Sequence, residues 1–128
     1  MAMFTTEGAF SGFSVDDVEA ARVFYGDTLG LDVEVNVMGF LDITLPSGGR
    51  VLAYSKPNHE PASFTIMNFP VDDVDAAVDD LSARGVETKI YPDDQVPSDA
   101  KGIVRGWGPD IAWFRGPAGN VLAVLSRS

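Results

Sequence analysis

The chain has 128 residues, no cysteine, and a net charge of −10 from nine basic and nineteen acidic side chains. That length can bury one real core. The missing thiols exclude disulfides, thiolate metal sites and a cysteine nucleophile, and the acidic balance argues against nucleic acid or a membrane as partner.

No apolar run approaches the ~20 residues of a membrane span. Met1–Glu7 lacks the basic and apolar regions of a signal peptide, so the expected location is cytoplasmic. Phe10 to Val15 alternates as a strand. Asp16 is then placed to cap a helix, with Glu19 as the returning acceptor of a capping box. The helix is expected to bury Val18, Ala21, Phe24 and Tyr25 and to fray over Gly26 to Gly30. Val33, Val35 and Val37 mark a second strand, and Leu41, Ile43 and Leu45 a third. Pro46-Ser47-Gly48-Gly49 is a turn, and Arg50 to Ser55 a fourth strand.

Lys56 to Ala62 reads as a linker, and it holds His59, the chain's single histidine. Ile66 to Val71 is a strand, and Asp72 is expected to cap a helix carrying Val74, Ala77, Val78 and Leu81 at helical spacing, ended by Gly85. Asp72, Asp73, Asp75, Asp79 and Asp80 concentrate acid here, which reads as a solvated helix face rather than a cation site. A strand over Val86 to Tyr91, a loop from Pro92 to Pro109, and strands Ile111 to Arg115 and Asn120 to Leu125 complete the chain.

The second half repeats the first. Val15-Asp16-Asp17-Val18-Glu19-Ala20-Ala21 returns as Val71-Asp72-Asp73-Val74-Asp75-Ala76-Ala77, at an offset of 56. Pro46-Ser47-Gly48-Gly49-Arg50-Val51-Leu52-Ala53 returns as Pro117-Ala118-Gly119-Asn120-Val121-Leu122-Ala123, with one residue extra in the first copy. Two copies make a duplicated domain, since stacked arrays need at least three shorter units. The order is βαβββ, twice. The expected class is α+β: one domain over 1–128 made of module 1 (about 7–56) and module 2 (about 62–128), with helices on the outer face of mixed, curved sheets.

The duplication, the helix starts ending Phe24-Tyr25, and the closing Trp113-Phe114-Arg115-Gly116-Pro117-Ala118-Gly119-Asn120 resemble the vicinal oxygen chelate superfamily of glyoxalases, bleomycin-resistance proteins and extradiol dioxygenases. The resemblance covers nearly the whole chain. It implies the fold, whereas that fold hosts both enzymes and metal-free antibiotic-binding proteins. It also implies four metal-ligand positions, which here hold Phe10, Ala53, Ile66 and Ala123. None of these can donate an electron pair to a divalent ion, and a slip of one residue would not restore a site. No metal or other cofactor is therefore expected.

Strand alternation predicts what faces the cavity: Phe10, Gly12, Ser14, Ile66 and Asn68, then Phe40, Asp42 and Thr44 with their repeat mates Ile111, Trp113 and Arg115, and Ala53 with Ala123. The set is apolar and aromatic with a few polar groups, as small-molecule pockets are. Asp42 and Arg115 could pair or meet charges on a ligand, and Arg115 could instead brace the closing turn. Asn68 is a candidate for orienting a ligand. Trp107, between Gly106 and Gly108, is either a lid or a buried anchor of its loop.

The candidate ligand-binding residues are thus Phe10, Ser14, Phe40, Asp42, Ala53, Ile66, Asn68, Trp107, Trp113, Arg115 and Ala123. They suit a metal-free protein that binds a small hydrophobic or aromatic molecule. The alternative is a glyoxalase-like lyase or isomerase, or a dioxygenase-type enzyme, with rearranged ligands or with Asp42 or His59 as base. Members of such families often build sites between chains, so a homodimer is expected, with one sheet face as its possible interface.

Overall fold

The computed structural model describes residues 3–127. Its contacts divide into two compact units, one up to Glu60 and one from Pro61. Each carries one helical segment and one mixed sheet, of four strands in the first unit and three in the second, which is the α+β pattern of two modules.

In the first unit, β1 (Ser11–Val15), β2 (Asp32–Val35), β3 (Leu41–Thr44) and β4 (Arg50–Ser55) pair in the order β1-β4-β3-β2. β1 runs parallel to β4, and the other pairs are antiparallel. Residues opposite one another share a face, so Phe13, Ala53 and Leu41 form one buried row, with Ile43 and Val51 on the same side. Helix α1 (Val18–Arg22), with buried Ala21, covers this side, and Tyr25 follows in a π-helical stretch, Val23–Thr28. Gly26 lets the widened stretch approach β2: a Cβ there would lie 2.6 Å from Val33 Cγ2. Burial pushes the Tyr25 hydroxyl pKa well above the usual phenol range.

In the second unit, β5 (Thr65–Val71), β6 (Ile111–Arg115) and β7 (Val121–Ser126) pair in the order β5-β7-β6. Met67, Leu122 and Phe114 are buried beneath α2 (Val74–Ala83), whose Val74 and Val78 face them. Burying a side chain such as Phe114 or Leu122 contributes roughly 1.5–3 kcal/mol.

Three expectations are corrected. Each helix is capped one residue later than expected. Asp17 Oδ1 accepts from the Ala20 N–H and Asp73 Oδ1 from the Ala76 N–H, each at 3.1 Å. Alanine therefore stands where a capping box needs Glu, and Glu19 instead pairs with Arg22, which lowers the Glu19 pKa.

Val86 to Tyr91 forms no strand. Its partner edge on β6 is taken by Val104, which bridges Ile111. The segment is held by the long loop instead: Thr88 Oγ1 donates to the Lys101 carbonyl at 2.7 Å, and Lys89 Nζ donates to Asp93, Ser98 and Asp99.

The closing hairpins align without an extra residue. Leu45 and Gly49 exchange the backbone bond that Gly116 and Asn120 exchange, and Gly48 and Gly119 hold the same place at φ of 104° and 86°. Leu52, not Ala53, is thus the counterpart of Ala123.

The acidic helix face is exposed as expected, and it also ties down the loop. Arg105 meets Asp75 at 2.9 Å and Asp110 at 3.0 Å, and Lys101 meets Asp79 at 2.9 Å. Being exposed, these pairs are screened by solvent and stabilise the fold only weakly.

Candidate ligand-binding site

The helix-free face of the first sheet carries Gly12, Ser14, Asp42, Leu52 and Tyr54. Ser14 Oγ and His59 Nδ1 are hydrogen-bonded at 2.7 Å, so this histidine is half-buried against β1 rather than exposed in a linker. Phe40 meets Tyr54 edge-on at 6.4 Å. Asp42 Oδ1 accepts from Asn36 Nδ2 at 3.3 Å. Phe10 precedes β1, is 54 % exposed, and lies beneath the Arg50 guanidinium, 5.3 Å from ring centre to Cζ. Ala53 does not join this face. Its register with Phe13 and Leu41 puts it on the helix side, at 0 % exposure.

The corresponding face of the second sheet carries Asn68, Ala123 and Trp113 in one row. Asn68 is exposed, Ala123 is buried and Trp113 is half-buried. The register shifts between Thr65 and Met67, so Ile66 is the unpaired residue of an irregularity and has no place in that row. Thr65 takes up the role instead, its Oγ1 accepting from Trp113 Nε1 at 3.1 Å.

Tyr91 stands edge-on to Trp113 at 5.8 Å, and the Arg115 guanidinium lies over Tyr91 at 5.9 Å. Beside them is a hollow of about 290 Å³, lined by Pro61, Ala62, Ser63, Tyr91, Arg115, Gly119 and Val121. Its wall is fixed where Asn120 Oδ1 accepts the Ala62 N–H at 2.8 Å. Arg115 is exposed toward this hollow's surface, and no bond from it to the closing turn is seen among the described residues. Trp107 is 68 % exposed, so it is not a buried anchor of its loop.

Sequence reasoning thus brought Trp113, Arg115 and Ala123 to one strand pair, and missed Thr65 and Tyr91. An irregularity in register hid Thr65. Tyr91 ends a segment whose residues read as a strand but form none. The strand pattern itself would have found Leu52, had the turn been aligned without an insertion.

The chain matches the model of the Glyoxalase/Bleomycin resistance protein/Dioxygenase superfamily over residues 9–124. It belongs to that superfamily. No curated protein matches it in sequence. Among solved structures of the superfamily's fold it is similar to TnmS3, an antibiotic binding protein from Streptomyces sp. CB03234, at 26% identity and a TM-score of 0.69, covering 98% of this chain and 100% of that one. It is also similar to a superfamily member from Sphaerobacter thermophilus DSM 20745, at 21% identity and TM-score 0.68, covering 96% and 100% of the two chains. A third likeness is to the oxidase ChaP-H2, at 22% identity and TM-score 0.64, covering 95% of each.

The superfamily's metal does not fit the residues present. Phe10, Ile66 and Ala123 offer no donor atom, and Leu52, the true counterpart of Ala123, offers none either. Among the described residues no group of three His, Asp or Glu side chains is placed to hold an ion. What the second unit presents is an aromatic group, Trp113 and Tyr91, with the Arg115 guanidinium beside it.

Proposed function

We propose that the protein is a metal-free member of its superfamily that binds a small hydrophobic or aromatic molecule. The observation that carries this reading is the Trp113–Tyr91–Arg115 cluster, edge-on at its indole, beside the hollow of the second unit. Aromatic side chains give a planar ligand contact area at little entropic cost, and Trp113 is held in place by Thr65. The likeness to an antibiotic binding protein supports a binding role. Phe10, Ser14, Phe40 and Asp42 form a comparable surface in the first unit, and Asn68 and Trp107 are further contacts to test.

The reading includes a homodimer in the cytoplasm. Exposed Val35, Val37 and Met38 are side chains that a second copy would cover, and light scattering on a sizing column tests this. Among the described residues no helix is long and apolar enough to cross a membrane.

The direct test is a ligand screen read by tryptophan fluorescence, repeated in EDTA. Trp113→Ala should abolish binding while leaving the fold intact, and EDTA should change nothing. Retained affinity in that variant would sink the reading. A second reading, an enzyme, is favoured by the Ser14–His59 hydrogen bond, which orients the only imidazole as a base. Turnover lost in His59→Gln, or abolished by EDTA, would make the enzyme the leading case.

A further inference from the structure

Arg22, Arg84, Lys89, Lys101, Arg105 and Arg127 each pair with a carboxylate. Among the described residues Arg50, Lys56 and Arg115 do not, although acidic side chains outnumber basic ones nineteen to nine. The two arginines rest on aromatic rings instead, Arg50 on Phe10 and Arg115 on Tyr91. The two arginines also share a place in the fold. Arg50 is opposite Thr44 and Arg115 is opposite Val121, which is the same rung of the closing hairpin in each unit, filled from opposite strands.

A guanidinium resting on a ring is held weakly there when exposed, and its N–H donors remain free to meet an acceptor. At Arg115 those donors border the hollow, where the other side-chain polar group besides the Tyr91 phenol is the Ser63 hydroxyl. Among the described residues no carboxylate lines this hollow. A ligand that fits must therefore bring acceptors and a flat apolar body.

The geometry points to planar aromatic anions, molecules with a carboxylate or phenolate oxygen on a ring system, as the ligand class of this hollow, with Arg115 as the counter-charge. This rests on the binding reading above and narrows it. The ring system lies against Tyr91, and the anionic oxygen accepts from the Arg115 guanidinium as a charge-assisted pair.

The test compares 1-naphthoate with its neutral analogue 1-naphthylmethanol by ¹H–¹⁵N shift perturbation, in the full chain and in Arg115→Gln and Arg115→Lys. Naphthoate should bind at least about tenfold more tightly than the alcohol, with the largest shifts at residues 62, 63, 91 and 115. Arg115→Gln should reduce naphthoate to the alcohol's affinity and leave the alcohol unchanged, and Arg115→Lys should fall between. Naphthoate affinity should also weaken with added salt. Equal affinities for the two compounds, or an Arg115→Gln loss shared by both, would overturn the charge assignment while the binding reading stands. Absence of any shift at these residues with either compound would overturn both. Peak dispersion in the same spectra shows whether each variant is folded.

Discussion

Trp113 Nε1 donates to Thr65 Oγ1 across the strand that separates them. Trp113 is on β6 and Thr65 on β5, and β7 runs between. The residue opposite Trp113 on β7 is Ala123, a methyl group low enough to be bridged. The position for which the family resemblance implies a metal ligand thus lies beneath an indole.

Ala123→Leu should therefore displace the indole from Thr65. The expected outcome is a shifted Trp113 Nε1 resonance, a loss of about 1–3 kcal/mol of stability from overpacking, and weaker binding of aromatic ligands. An unchanged Nε1 resonance would refute the bridge.

Gly102 should tolerate no side chain. Its φ is +85°, and a Cβ would lie 2.0 Å from the Thr88 carbonyl oxygen. Left-handed strain and the clash together predict about 2–5 kcal/mol lost in Gly102→Ala. Gly106, at φ +88° with nothing within 4 Å of its Cβ, should lose only about 1–2 kcal/mol on the same change. Urea melts of the two variants make the comparison.

The helix caps give a paired test. Asp73→Ala removes the acceptor of the Ala76 N–H and should cost about 0.5–2 kcal/mol. Asp72→Ala removes only an exposed pair with Arg127 and should cost under about 1 kcal/mol. Equal losses would contradict the assigned cap.

Tyr25 predicts behaviour in alkali. Its phenol is neutral in the fold and its pKa is raised by burial above the ordinary 10.0. This stabilisation is complete below pH 10.0 and is lost as pH climbs toward the folded value, because only the unfolded chain ionises there. Tyr25→Phe should move the alkaline unfolding midpoint to higher pH, read by circular dichroism. An unmoved midpoint would place the sensitive group elsewhere.

The fold was legible because the duplicated Val-Asp-Asp-Val segments and the alternating strands report faces, and a face is what burial selects. Phe13, Val15 and Met67 are in the core as alternation requires, and Val74 and Val78 as helical spacing requires. The errors fell where backbone geometry rather than alternation decides. Ile66 leaves the row because a bulge adds a residue that no periodicity shows. Ala53 falls on the helix side because Gly48, not Gly49, takes the turn's positive φ, which two adjacent glycines do not reveal. Val86 to Tyr91 has strand-like residues, but Val104 holds the edge it needed. In the candidate site, Trp113 and Arg115 were readable from their strand. Tyr91 was not, since a loop carries it to them.

The single bridge between Val104 and Ile111 also bears on solubility. Where the first unit closes its sheet with β2, the second leaves β6 at the margin, with most of its outer hydrogen-bonding groups lacking a neighbouring strand. Such a margin invites pairing with another chain. The loop from Pro92 to Pro109, rich in proline, glycine and charge and pinned by Arg105 and Lys101 to α2, stands guard over it. Covering an edge with a charged, proline-bearing loop is one way proteins keep a free strand margin from pairing with another chain.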